Sequence, residues 1–248
     1  MNLPLCLENK AITCALKILS LLVVACSISA CIPGQPYPKG TVLSQPLLPP
    51  KMRSPVIGQE WVYNVRNVFN QELVDVVTEK VVATSPQIII QRSGVKAGSL
   101  PDEIQGPWGY VIQDPHWSPP QQFIKPIPLW PESLVVGFSG YYPTRYGVVG
   151  YFENGSYWWD LNMEAVKWER MIVPAGSFNT LQFNNGAPNF QSNDIFRVAN
   201  NRQEVIWLSP EIGRWVIRRG YGRYLLGGMR WNEALWEDYL EWQLISWK

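Results

Sequence analysis

The sequence predicts an all-β fold: an antiparallel, curved sheet forming an open barrel or sandwich. Three observations point there. Short runs of alternating apolar and polar residues recur between turn signals from Gly58 to the end of the chain. Helical periodicity is absent except at Trp231–Leu240, where Leu235, Trp236, Tyr239 and Leu240 would line one face. Aromatic side chains are abundant, with 13 tryptophans among 248 residues, and such rings pack well on pleated, half-buried surfaces.

The elements follow in order. Gly58 opens a strand in which Trp61, Tyr63 and Val65 alternate with Val62, Asn64 and Arg66; Leu73–Ala83 makes the second arm of a hairpin, and Ile88–Arg92 a third strand. Residues 94–131 carry eight prolines and read as a long Pro-rich loop, with short strands at Gly109–Ile112 and Gln122–Ile124. Strands then recur at Leu134–Tyr142, Val148–Phe152, Ser156–Leu161, Ala165–Val173, Phe178–Asn184, Asp194–Val198, Arg202–Ser209, Arg214–Arg219 and Asp238–Ser246. Asn154-Gly155 is a tight-hairpin signal between two of them.

The first residues differ from the rest. Lys10 and Lys17 precede an uncharged run from Ile18 to Ala30, too short to span a bilayer and of the length expected of a signal-peptide helix. Ile28-Ser29-Ala30-Cys31 resembles the bacterial lipobox, and Val23-Val24-Ala25-Cys26 fits nearly as well. The resemblance implies lipidation of Cys31, with Cys26 as the alternative, and cleavage before it. The expected organisation is therefore a lipoprotein signal peptide over 1–30, a Pro-rich tether over 31–57 and a single β domain over 58–248. Neither Ser27 nor Ile32, which follow the two cysteines, is the Asp that marks inner-membrane retention, so the default address is the outer membrane, facing the periplasm.

Cleavage before Cys31 leaves 218 residues with 19 basic and 19 acidic side chains, a net charge of zero. No basic excess points to nucleic acid. All four cysteines lie at or before Cys31, so the β domain has no disulfide, no cysteine nucleophile and no Cys-ligated metal. His116 is the sole histidine, which leaves any Ser-His-Asp arrangement dependent on one residue in Asp114-Pro-His116-Trp-Ser. Adjacent residues in one loop do not make a triad, and a solvent-facing histidine is expected.

Two stretches stand out. Trp168-Glu-Arg-Met-Ile-Val-Pro-Ala-Gly-Ser-Phe178 reads as strand, Pro-Ala-Gly turn and strand. Glu204-Val-Ile-Trp207-Leu-Ser-Pro-Glu-Ile-Gly-Arg-Trp215-Val reads as a second hairpin. Together they resemble uncharacterised proteobacterial lipoproteins and periplasmic proteins in which a VPAGxF turn precedes a WxxPxxGxWV turn. That resemblance implies a strongly curved antiparallel sheet and supplies no catalytic residues.

Three candidate sites remain. Trp61, Tyr63, Phe178, Phe183, Trp207 and Trp215 would line either a concave ligand-binding face or a filled core. Tyr157, Trp158, Trp159, Asp160 and Glu164 would form a sugar-binding patch or ordinary cross-strand packing. A glycan hydrolase would need two facing carboxylates from Asp160, Glu164, Glu169 and Glu204. With nucleophile–base pairs and metal sites nearly absent, the expectation is a non-catalytic protein without a cofactor. It would dock onto envelope proteins or, alternatively, carry a hydrophobic (acyl) or glycan ligand.

Overall fold

The computed structural model describes residues 37–150, 157–228 and 234–248. The signal helix, Cys26, Cys31 and the Asn154-Gly155 turn lie outside them.

Thirteen strands follow one another: β1 (Thr41–Leu43), β2 (Glu60–Asn67), β3 (Leu73–Ala83), β4 (Ile88–Gly94), β5 (Gly98–Gln105), β6 (Tyr110–Asp114), β7 (Gln121–Pro128), β8 (Ser139–Val148), β9 (Tyr157–Val173), β10 (Gly176–Phe190), β11 (Arg197–Ser209), β12 (Arg214–Leu226) and β13 (Leu235–Trp247). Each of β2–β13 pairs antiparallel with its sequence neighbour, β13 pairs with β2, and β8 pairs with β9. The sheet is thus a closed twelve-strand barrel, which corrects the expected open barrel or sandwich. Closure comes from β13, which pairs with β12 on one edge and with β2, the first strand of the ring, on the other. β9 is long enough for Tyr157–Glu164 to pair with β8 and for Trp168–Arg170, further along the same edge, to pair with β1. Closing the ring leaves no row of unpaired backbone groups between β13 and β2.

Two further expectations change. Among the described residues there is no helix, and the 231–240 stretch enters β13 as strand from Leu235. Pairing with β12 on one side and β2 on the other outweighs its local helical pattern. The Pro-rich loop of 94–131 contains an unexpected strand, β5, besides β6 and β7, which fall at the expected short strands Gly109–Ile112 and Gln122–Ile124. Its prolines are accommodated where the ladder breaks: Pro101 lies at the bulge between the Ile90–Glu103 and Arg92–Leu100 pairs, and Pro126 at the bulge between Val111–Ile127 and Gln113–Gln122.

The two distinctive turns join β9 to β10 and β11 to β12. Gly213, at φ +69°, is required twice over, because a Cβ there would stand 2.6 Å from the Arg53 carbonyl oxygen. That contact belongs to the segment before β2. Arg53 N–H donates to the Pro210 carbonyl, Trp108 Nε1 donates to the Arg53 carbonyl, and Val136 N–H donates to Gln45 Oε1. The residues read as a tether therefore lie, from Thr41 onward, against the loops at one end of the barrel.

Candidate functional site

Inside a barrel each strand turns alternate residues to the lumen, and here the lumen holds an ion-pair network as well as rings. Glu79 on β3 stands opposite Trp61 on β2, at a position whose neighbours on the same face are Val77 and Val81. Arg214, the first residue of β12, is its main partner. Its Nε and Nη2 donate to Glu79 Oε2 at 3.0 and 2.7 Å, and its Nη1 and Nη2 donate to Glu103 Oε1 and Oε2 at 2.9 and 2.7 Å. All three side chains are fully buried. The guanidinium lies 3.8 Å from the Trp215 ring centre, so its face is covered while its edge is hydrogen-bonded.

The loop after β6 reaches into this network. His116 is placed with Nε2 2.9 Å from Glu79 Oε1 and Nδ1 2.9 Å from Asp114 Oδ1, edge-on to Trp215 and Trp242. Its side chain is only 2% exposed, which corrects the expected solvent-facing histidine. The turn carries it inward because Asp114 Oδ1 also accepts the His116 backbone N–H at 2.9 Å. Arg92 bridges from the other side, donating Nε to Glu79 Oε1 and Nη1 to the Pro115 carbonyl. Arg218 donates Nη2 to Glu204 Oε1 at 2.6 Å and lies 4.0 Å from Asp114 Oδ2.

Charges so enclosed shift one another. Burial alone would raise the Glu79 carboxyl, yet Arg214, His116 and Arg92 hold it well below the usual carboxylate range. Asp114 is also lowered, because His116 and Arg218 outweigh its burial. Burial works against the charged forms of Arg214 and Arg218, but the facing carboxylates raise both above the ordinary arginine value. Tyr63 is raised well above its ordinary value by burial and by Glu79; its hydroxyl donates to the Trp215 carbonyl at 3.0 Å.

The residues suggested by sequence as a ligand face are buried. Trp61 Nε1 donates to the Ile212 carbonyl, Tyr63 packs 6.3 Å from Trp215, and Trp207 Nε1 donates to Glu169 Oε2 at 3.0 Å. Phe178 and Phe183 are buried on β10. Tyr63 and Trp215 are brought together with the network, while Trp207 belongs with Glu169. The Tyr157–Glu164 patch is divided by strand alternation: Trp159 points to the core, and Trp158 and Glu164 are exposed. The four carboxylates weighed for glycan hydrolysis are engaged separately. Glu204 is held by Arg218, Glu169 by Lys167 and Trp207, Asp160 accepts from Tyr141, and Glu164 is exposed.

A small cavity of about 20 Å³ borders the network at His116, Trp117, Glu204, Arg218 and Trp242, enough for one water molecule. Among the described residues no group of three His, Cys, Asp or Glu side chains is placed to hold a metal ion. A larger concavity, about 420 Å³, lies at the end of the barrel covered by the N-terminal segment, between Leu43, Pro46, Pro50, Trp168 and Pro210.

No family model and no curated protein matches the sequence. Among solved structures the chain is similar to an inferred lipoprotein from Parabacteroides distasonis, with a TM-score of 0.48, 13% identity and coverage of 78% of this chain and 96% of that one. It is also similar to an inferred exported protein with a YmcC-like fold from Bacteroides fragilis, with a TM-score of 0.46, 11% identity and coverage of 81% and 100%. The likeness carries neither the turn motifs nor a lineage.

Glu79, Glu103, Arg92 and Arg214 escaped sequence reasoning as a group. The signal available was a charged residue at an inward position of an apolar strand face, as at Glu79 between Val77 and Val81.

Proposed function

We propose that this chain is a lipid-anchored envelope protein, attached through Cys31 or, alternatively, Cys26, whose barrel is a non-catalytic body for docking or assembly with other envelope proteins. The observation that carries the reading is the occupied lumen. Arg214, Glu79 and Glu103 are fully buried in the lumen and, with His116, bond to one another rather than presenting free polar groups to a ligand. Carboxylates and a histidine paired in this way are not presented as a free acid and base. The lipobox-like sequence supports export and anchoring, and an outer-membrane position facing the periplasm is part of the proposal.

A second reading is favoured by the 420 Å³ concavity at Trp168, whose apolar walls suit a hydrophobic ligand. Native mass spectrometry of the chain purified from envelopes separates the two. The docking reading expects the lipidated polypeptide mass alone, with cleavage before Cys31. A stoichiometric additional mass that fragments as lipid or glycan would make the protein a carrier.

A further inference from the structure

From Ile32 to Gln59 the sequence contains Lys39, Lys51 and Arg53 and no Asp or Glu. The same stretch projects large apolar side chains. Leu47 is fully exposed, Leu48 is 82% exposed, and Val42, Val56 and Ile57 are also exposed. These positions are held rather than trailing. Leu43 pairs with Trp168, Gln45 accepts from Val136, Pro46 and Pro50 wall the concavity over Trp168, and Arg53 is bonded to Pro210 and Trp108. Leu47 and Leu48 therefore stand at the crest of an arch whose two feet are fixed to the barrel.

We propose that this arch is a membrane-contacting surface that seats the barrel end on an anionic phospholipid bilayer, with Leu47 and Leu48 entering the interface and Lys39, Lys51 and Arg53 facing the lipid headgroups. Apolar side chains flanked by cations, without acids, match such an interface. The chain supplies the proximity: Cys31 precedes Thr41 by ten residues, a span of at most about 36 Å. Other acids of this barrel end are engaged, Glu60 with Lys248 and Glu132 with Tyr110, while Glu211 borders the concavity. The opposite end offers the contrast. Ile195 is as exposed as Leu48, but it adjoins Asp194 and belongs to the β10–β11 turn. The proposal rests on the lipid-anchor reading and adds a defined orientation to it.

The test uses the full lipidated chain in vesicles of phosphatidylethanolamine and phosphatidylglycerol, with an environment-sensitive fluorophore on Leu47→Cys or, as control, Ile195→Cys. Flotation with the vesicles reports the anchor, and quenching by spin-labelled lipid reports the surface. The proposal expects a blue shift and loss of most emission to the spin label at position 47, with neither at 195. Flotation without quenching at 47 would overturn the surface and leave the anchor standing. If the chain fails to float, the anchor reading fails; binding of the chain to the same vesicles at low salt, with the blue shift at 47, would then support the surface, and its absence would overturn it. Shielding of position 47 in whole envelopes but not in vesicles would assign the arch to a protein partner and overturn the lipid proposal.

Discussion

Two sectors of the barrel wall fill the lumen by different physics. Along β7–β10 the inward side chains are mostly rings and aliphatics: the Trp159 ring lies 4.7–5.9 Å from those of Phe123, Tyr146 and Phe190, Phe123 lies 6.4 Å from Tyr146, and Leu161, Met163 and Phe183 are buried on the same strands. Along β3–β6 and β12 charged side chains stand among the aliphatics, and Arg214, Glu79, Glu103, Arg92, Asp114, His116 and Arg218 form one linked set of ion pairs and hydrogen bonds. An apolar sector loses stability in proportion to the volume removed at each site. An ionic sector fails as a unit, because removing one partner strands another charge without water.

That difference sets the expected order of effects. Arg214→Ala removes the partner of two buried carboxylates and is expected to cost about 4–5 kcal/mol, near the top of the range for breaking a buried pair. Urea unfolding measures it, and a cost comparable to a surface substitution would remove the distinction between the sectors. Leu161→Ala in the apolar sector is expected to cost about 3 kcal/mol by the same measurement.

Acid should separate the sectors more sharply. Glu79 and Asp114 have folded-state values below their ordinary ones. Their contribution is therefore complete above the unfolded values near pH 4 and is lost as pH falls through the lower folded values. The melting temperature should drop on acidification below about pH 4. Asp114→Asn should flatten that slope, whereas Leu161→Ala should shift the curve and keep it.

Conservative changes give the smaller contrasts. Arg214→Lys keeps the charge but cannot reproduce the forked bonds to two carboxylates, and about 2 kcal/mol is expected to be lost. Met163→Leu, a swap of similar volume among apolar neighbours, should cost less than about 1.5 kcal/mol. Equal losses for the two in thermal melts would mean that the fork is not what holds Arg214.

The same contrast explains what could be read from the sequence. Period-two alternation located most strand segments, and Trp61, Tyr63 and Val65 correctly marked an inward face. The turns around Gly176 and Gly213 were legible from Pro-Ala-Gly and Ser-Pro-Glu-Ile-Gly. Closure was not legible, because it depends on the last strand, β13, meeting β2, the first strand of the ring, from the far end of the sequence. The prolines of 94–131 concealed β5 and the full length of β7, while β6 and the start of β7 were legible, because bulges, which involve both partners, accommodate Pro101 and Pro126. The network was hidden for a related reason. Glu79 lies 135 residues from Arg214 and 37 from His116, so no short-range pattern in the sequence links them.

A double-mutant cycle between Glu79→Gln and Arg214→Met, read by urea unfolding at pH 7, tests most directly whether the ionic sector acts as a unit. The account predicts a coupling of about 2–3 kcal/mol between the two sites. Costs that add to within about 0.5 kcal/mol would contradict it and leave the buried charges as independent occupants of the lumen.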